Sequence, residues 1–336
     1  SVYQVSEQLG PILAQLSRWL PKAALSNGLI HLDKKEISIP EVSWRNGTLT
    51  GRVGLEKLLP ETIFVAELSK SPRQISWQTP EWNLECKLTT KQDQESLTID
   101  GSLMWESNRI EVAAQFGRDD LLPRNASIQT KSFRVPKQWL NLEGYRELTG
   151  SLDARWQTNR FAADLAAEAQ PIVSDDMFLS AVKAEIRLSG DTNAVRIESA
   201  SVFSPWLQAK LSQNVEFNFR GEMVSPVVTL SVRGDLSQQN WIPARGELIG
   251  EAILKRGEDR YPDATFELSG VGVEIGKLRT EQINLHGAFE WPWLEIQSAE
   301  IRFKEGGLAE GDLRFNAVSR LVSDGRVKFD AVSYTH

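Results

Sequence analysis

The residues whose types suit catalysis or metal binding are few in this 336-residue chain: two acidic pairs, Asp119–Asp120 and Asp175–Asp176, and three histidines, His31, His286 and His336. Paired carboxylates serve as the acid and base of a glycosidase, or as hard oxygen ligands for calcium. Both pairs stand in turn-like stretches, where solvated aspartate is the ordinary occupant, and no regular Asp/Asn ladder follows either. The histidines are far apart and no HExxH occurs, which argues against a histidine metal centre. Cys86 is the only cysteine, so an internal disulfide framework and a cysteine zinc site are excluded. It sits in the alternating segment 84–88 (LECKL), as a buried strand thiol would. No GxSxG, P-loop or dinucleotide fingerprint is present. Asn46-Gly-Thr48 and Asn125-Ala-Ser127 match the glycosylation sequon, a pattern that chance supplies often. The chemistry-bearing residues therefore predict a protein that is not an enzyme and uses neither metal nor cofactor.

Composition narrows the class further. There are 38 Lys+Arg against 45 Asp+Glu, a formal charge of −7, with 41% apolar residues and 11 Trp. That much apolar material excludes a disordered chain, and the acidic balance argues against nucleic acid as partner. No stretch approaches the roughly 18 apolar residues of a membrane span. The first residue is Ser1, so the sequence reads as a mature chain or a piece of something larger, with any anchor outside it.

Residues 1–27 predict an amphipathic helix: Val2, Val5, Leu9, Ile12, Leu13, Leu16, Trp19 and Leu20 recur at steps of three and four. Pro11 is expected to kink or restart it and Pro21 to stop it. Its stripe suits packing on the neighbouring fold or an interfacial membrane position. From 28 to 336 the period changes to two, with turn signals such as Asn46-Gly47 and Asp324-Gly325 between segments. Strict alternation means one apolar and one wet face, as in antiparallel sheets. About fifteen to eighteen strands are expected.

A repeat lies beneath the alternation. Apolar-x-Gly-x-apolar occurs at 49–53, 99–103, 148–152, 219–223, 232–236, 248–252 and 285–289, placing Gly51, Gly101, Gly150, Gly221, Gly234, Gly250 and Gly287 on the apolar phase. A strand glycine costs stability, so its recurrence implies a bend that curves the sheet or a close approach to the backbone. Trp19, Trp139 and Trp241 each open a short corner ahead of a glycine-bearing strand, which suggests modules 28–135, 136–236 and 237–336 of one continuous repeating groove.

The dry face must meet something. So many strands tend to curl, split or close, and in-strand glycines are a device for curling them. The expected fold is mainly β: an elongated, curled antiparallel sheet with a U-shaped cross-section, spanning roughly 75 Å at 4.7–4.9 Å per strand. The residues expected to line the trough follow the apolar phase. In the first part they are Leu49, Val53, Leu55, Ile99, Leu103, Trp105, Ile110, Val112 and Phe116. In the middle they are Leu152, Trp156, Phe161, Leu165, Ile186, Leu188, Phe217, Phe219, Leu230 and Val232. Toward the end they are Leu285, Phe289, Trp291, Ile301, Phe303, Leu313 and Phe315. An open apolar slot of this length suits acyl chains and would otherwise promote aggregation. Two rivals predict different interiors. A structural or assembly-factor β-protein of the cell envelope would have a sealed core. A carbohydrate-active protein would show exposed aromatics on the polar phase near paired carboxylates; Trp44, Trp77 and Trp82 are the candidates, and they lack acidic partners.

The segments 148–156 (LTGSLDARW), 246–254 (GELIGEAIL) and 307–315 (GLAEGDLRF) resemble the glycine-leucine strand repeats of the AsmA-like superfamily, which includes the TamB-, YhdP- and YdbH-type proteins of Gram-negative bacteria. The opening 16–21 (LSRWLP) and 28–32 (GLIHL) have the look of a YdbH-type segment. The resemblance implies a periplasmic protein anchored to the inner membrane outside this chain. It also implies a bridge-like β-groove that moves phospholipid between inner and outer membranes, contacting both through regions beyond the sequence. It supplies no catalytic signature.

Overall fold

A computed structural model describes residues 1–19, 22–32, 35–55, 59–68, 72–137, 143–172, 179–218, 224, 227–239, 242–255, 263–290 and 292–330. The fold is mainly β, an open antiparallel sheet of 24 strands with a helix α1 (Val2–Trp19) at the N-terminus. Contacts divide the chain into two units. One comprises Ser1–Arg134 with Ser151–Ala163, the other Val135–Gly150 with Asp164–His336.

In the first unit the strands form a meander in which each pairs with the next. They are β1 (Lys22–Leu32), β2 (Lys35–Arg45), β3 (Thr48–Leu55), β4 (Leu59–Glu67), β5 (Arg73–Thr79), β6 (Leu84–Gln92), β7 (Ser96–Trp105), β8 (Asn108–Gly117) and β9 (Asn125–Pro136). The turns follow their residues: Asn46 and Gly47 both take positive φ, 51° and 84°, the geometry of a tight hairpin whose twist matches its strands. Strands β10 (Tyr145–Gln157) and β11 (Arg160–Pro171) contribute residues to both units.

The second unit continues with β12 (Val182–Asp191), β13 (Ala194–Phe203), β14 (Leu207–Leu211), β15 (Val215–Asn218), β16 (Val228–Asp235), β17 (Ala244–Arg245), β18 (Glu247–Lys255) and β19 (Asp263–Val271). It ends with β20 (Glu274–Ile275), β21 (Leu278–Glu290), β22 (Trp293–Phe303), β23 (Leu308–Asn316) and β24 (Val322–Asp330). Here β13 pairs with both short strands β14 and β15, and the ladder runs on through β16, β18, β19, β21, β22, β23 and β24. The two-residue strands β17 and β20 pair with each other, and β20 joins β21.

Strand number, 24, exceeds the expected fifteen to eighteen; three of the extra strands are β17 and β20, too short to alternate, and β4, whose Ile63 and Val65 on the wet face blur the period. The helix ends at Trp19, ahead of Pro21, and runs through Pro11 without interruption. Its first turns dock on the first unit. Tyr3, 2% exposed, donates its hydroxyl to the Asp93 carbonyl at 2.8 Å, and Arg73 donates to the Ser6 hydroxyl at 2.7 Å. Ile12 and Trp19 further along are exposed. No described helix is long and apolar enough to cross a membrane.

Candidate apolar binding face

Cross-strand partners share a face, and a one-residue slip would exchange the faces. In the first unit, register assembles the row Trp44–Leu49–Ala66–Ile75–Leu88–Gly101–Val112–Ile128 across eight strands. Beside it runs Val42–Gly51–Phe64–Trp77–Cys86–Leu103–Ile110. The opposite face carries Ser43–Thr50–Val65–Ser76–Lys87–Ser102–Glu111–Gln129. The second unit repeats the division. One dry row is Ala209–Val232–Gly250–Leu268–Leu285–Ala299–Gly311–Val327, and its neighbour is Leu211–Leu230–Ala252–Phe266–Gly287–Ile296–Leu313–Gly325. The matching wet row is Gln208–Arg233–Ile249–Ser269–Asn284–Glu300–Glu310–Lys328.

The dry rows are not sealed. Phe64, Trp77, Leu88, Leu103 and Val112 in the first unit are half-buried, as are Leu230, Leu285, Ile296 and Leu313 in the second. On the same dry faces Ile128, Val202, Phe289, Val327 and Phe329 are exposed outright. Along these described rows the apolar side chains are therefore half-buried rather than enclosed. Local cover exists at two places in the second unit: Leu236, Ala244 and Val273 pack with Ile283 over Leu248, Leu285 and Ile301, and Tyr145, Ala169 and Leu179 pack against Leu148, Val182 and Ala317.

Four of the seven repeat glycines mark where a neighbouring strand presses close. A Cβ on Gly250 would lie 1.8 Å from the Glu267 carbonyl oxygen, and one on Gly101 would lie 2.2 Å from that of Lys87. Gly287 and Gly51 are similar, meeting the Glu295 and Glu41 carbonyls at 2.1 and 2.6 Å. The space beside them is thus occupied by backbone of the same sheet. Register shifts at His286/Gly287 and at Ile296/Ala299 fall beside Gly287 and Gly311, so bulge and glycine bend the strands together. Gly234 differs, its nearest neighbour being the Trp206 carbonyl at 3.7 Å. Gly150 is half-buried in β10, and Gly221 lies outside the described residues.

The other residues read from the sequence fall as follows. Val53, Ile99, Trp105, Ile110 and Phe116 share the dry face of the first unit through their partners Thr62, Thr90, Leu84, Leu103 and Leu97. Leu152 and Trp156 alternate with Asp153, which accepts from the wet-face Gln129; the Trp156 indole donates to the Pro123 carbonyl at 2.7 Å. Phe161 and Leu165 flank Asp164, which pairs outward with Arg187. Ile186, Leu188, Phe217, Val232, Phe289, Ile301, Phe303 and Phe315 lie on the dry face of the second unit, where the Phe303 and Phe329 rings stand 5.8 Å apart. Phe219, Trp291, the corners at Trp139 and Trp241, Asp175–Asp176 and His336 lie outside the described residues, as do the side chains of Leu55 and His31.

The carbohydrate reading loses its aromatics: Trp44 and Trp77 belong to the dry rows, and of the three only Trp82, at the end of a short 3-10 helix (Pro80–Trp82), is exposed. Asp119 accepts from Gln4 of α1, and Asp120 holds Arg124 at 2.6 Å and the Gly117 amide, so this pair fixes a turn and the helix. His286 is exposed on the wet face opposite Glu267. Among the described residues no three His, Cys, Asp or Glu side chains converge as a metal site would need. Cys86 is buried at 2% between Trp77 and Leu103, and burial pushes its thiol pKa up. The Trp44 indole N–H is buried without an acceptor, an arrangement that costs about 1–3 kcal/mol. No family model, curated protein or solved structure matches this chain.

Proposed function

We propose that this protein is a non-enzymatic lipid conduit that takes phospholipid acyl chains onto the dry face of its sheet. The observation that carries the reading is the half-exposed apolar rows in each unit, backed by a wet face of charged and hydroxyl residues. Each buried methylene contributes about 0.8 kcal/mol, so a sixteen-carbon tail loses on the order of 12 kcal/mol on entering water. An apolar track removes that barrier without any catalytic group. Movement between inner and outer membranes, a periplasmic location and an anchor outside this chain are parts of the same proposal, supported by the likeness of the glycine strands to AsmA-like proteins. The rival envelope protein with a sealed core has less support, because the described apolar rows are half-exposed.

Uptake of a fluorescent fatty acid by the purified chain tests the reading. Phe289, 37% exposed on the dry face of β21, is the place to interfere. Phe289→Asp should cut uptake several-fold with little loss of stability, since the ring is only partly buried. Absence of uptake by the unaltered chain, or equal uptake by the variant, would contradict the proposal.

A further inference from the structure

Beside the local cover around Val273 in the second unit lies a polar cleft of about 470 Å³, lined by Ser237, Gln239, Ile242, Arg245, Glu274 and Gly276 among others. Its walls are held firmly. The Gln239 amide donates to the carbonyls of Leu236 and Ile242, both at 2.7 Å, and accepts from the Ile242 amide at 2.9 Å. The Gly276 amide donates to the Pro243 carbonyl at 2.6 Å. Ala244, which lines the cleft, is 5% exposed and packs in one buried cluster with Val273 at 0%, so this wall rests on packed core.

The charges in it are arranged unusually. Arg245 and Glu274 are direct cross-strand partners on β17 and β20, a position where opposite charges ordinarily meet. The Glu274 carboxylate turns instead to Arg279, 3.2 Å away. Two neighbouring carboxylates are also engaged elsewhere: Asp235 accepts from the Ser237 amide at 3.0 Å and from its hydroxyl, and Glu247 holds Arg233. Among the described residues the Arg245 guanidinium has neither an ion pair nor a hydrogen bond. An unpaired guanidinium in a preformed polar cleft matches a phosphate, whose oxygens accept its forked N–H groups two at a time.

We propose that the Arg245 cleft is a phosphate-binding site. It would take a phosphate mono- or diester, either free or as the headgroup of a lipid whose chains lie on the dry face; only the second source rests on the lipid-conduit reading.

Amide chemical shifts of Ser237, Gln239 and Gly276 are followed during titration with inorganic phosphate and, separately, with dihexanoylphosphatidylglycerol. Both probes are expected to move these amides in the unaltered chain, and Arg245→Ala should weaken binding by about tenfold or more, the scale of one charge-assisted pair. Arg245→Lys should fall between, and Glu274→Gln should tighten binding by lowering local negative charge. Tighter binding of the short-chain lipid than of phosphate supports a headgroup; equal binding supports a free phosphate. Arg245 is exposed, so unchanged shifts elsewhere certify that its variants fold. Unmoved amides with both probes, or equal binding by Arg245→Ala, would overturn the proposal. Fatty-acid uptake measured on the same samples separates the two proposals, because a chain that takes up no acyl probe can still move these amides with phosphate.

Discussion

Replacing Gly250 by alanine separates bending glycines from incidental ones. The new Cβ would stand 1.8 Å from the Glu267 carbonyl oxygen and 2.8 Å from the Leu268 Cα, so strand β19 must retreat by more than an ångström. Forced overpacking of this kind costs about 1–3 kcal/mol, and the ladder bond it stretches is worth about 1 kcal/mol. The stiffer unfolded chain returns about 0.4–1 kcal/mol, leaving a net loss of roughly 1.5–3 kcal/mol. Gly234 supplies the control on the adjacent strand β16. Its added methyl finds ordinary contacts at 3.7 Å and beyond, so Gly234→Ala keeps only the unfolded-chain gain, about 0.4–1 kcal/mol of added stability. Urea unfolding of both variants, followed by hydrogen exchange of the β18 and β19 amides, should show shifts of opposite sign. Equal shifts would refute the claim that close strand approach, rather than glycine as such, shapes this sheet.

Two further outcomes concern titrating groups. The Asp93 carboxylate accepts from the amides of Glu95 and Ser96, which hold its pKa below the ordinary aspartate value. A depressed carboxylate stabilises the fold above its unfolded value, and that contribution disappears as pH falls through the folded one. Because the Asp93 carbonyl receives the Tyr3 hydroxyl, the Tyr3 ring resonance should stay constant down to the ordinary aspartate range and change only below it; a change at higher pH would contradict this link. Cys86, with its thiol pKa raised by burial, should react with iodoacetamide far more slowly than free cysteine at mildly alkaline pH and speed up in urea. A rate matching free cysteine would show that the dry face admits water freely at that row.

Most of the face division was legible in the residues because period two leaves one assignment for each strand once its frame is known. Ile99-Asp-Gly101-Ser-Leu103 and Leu285-His-Gly287-Ala-Phe289 show their phase directly. The frame fails at bulges. In β13 the partners of β12 shift between Arg187 and Leu188, so Ala200 and Val202 join the dry face out of step with Val195 and Ile197, and only the latter two were readable. Trp77 was assignable to the dry phase from Ile75 and Thr79, whereas Trp44 sits beyond the irregularity between Ser38 and Glu41 that Pro40 interrupts. The Arg245 cleft left no trace in the pattern: β17 and β20 have two residues each, and Gln239 acts by bonding main-chain carbonyls, which no spacing announces.

The central claim is that hydrocarbon lies on the dry face, and isoleucine methyl groups report it from both faces of the sheet. Ile99 and Ile110 in the first unit and Ile296 and Ile301 in the second face the dry side, while Ile63, Ile249 and Ile253 face the wet side. Titration with a doxyl-labelled stearate should broaden the dry methyl signals and spare the wet ones. Broadening on both faces alike, or none on the dry face at concentrations that dissolve the probe, would contradict the account.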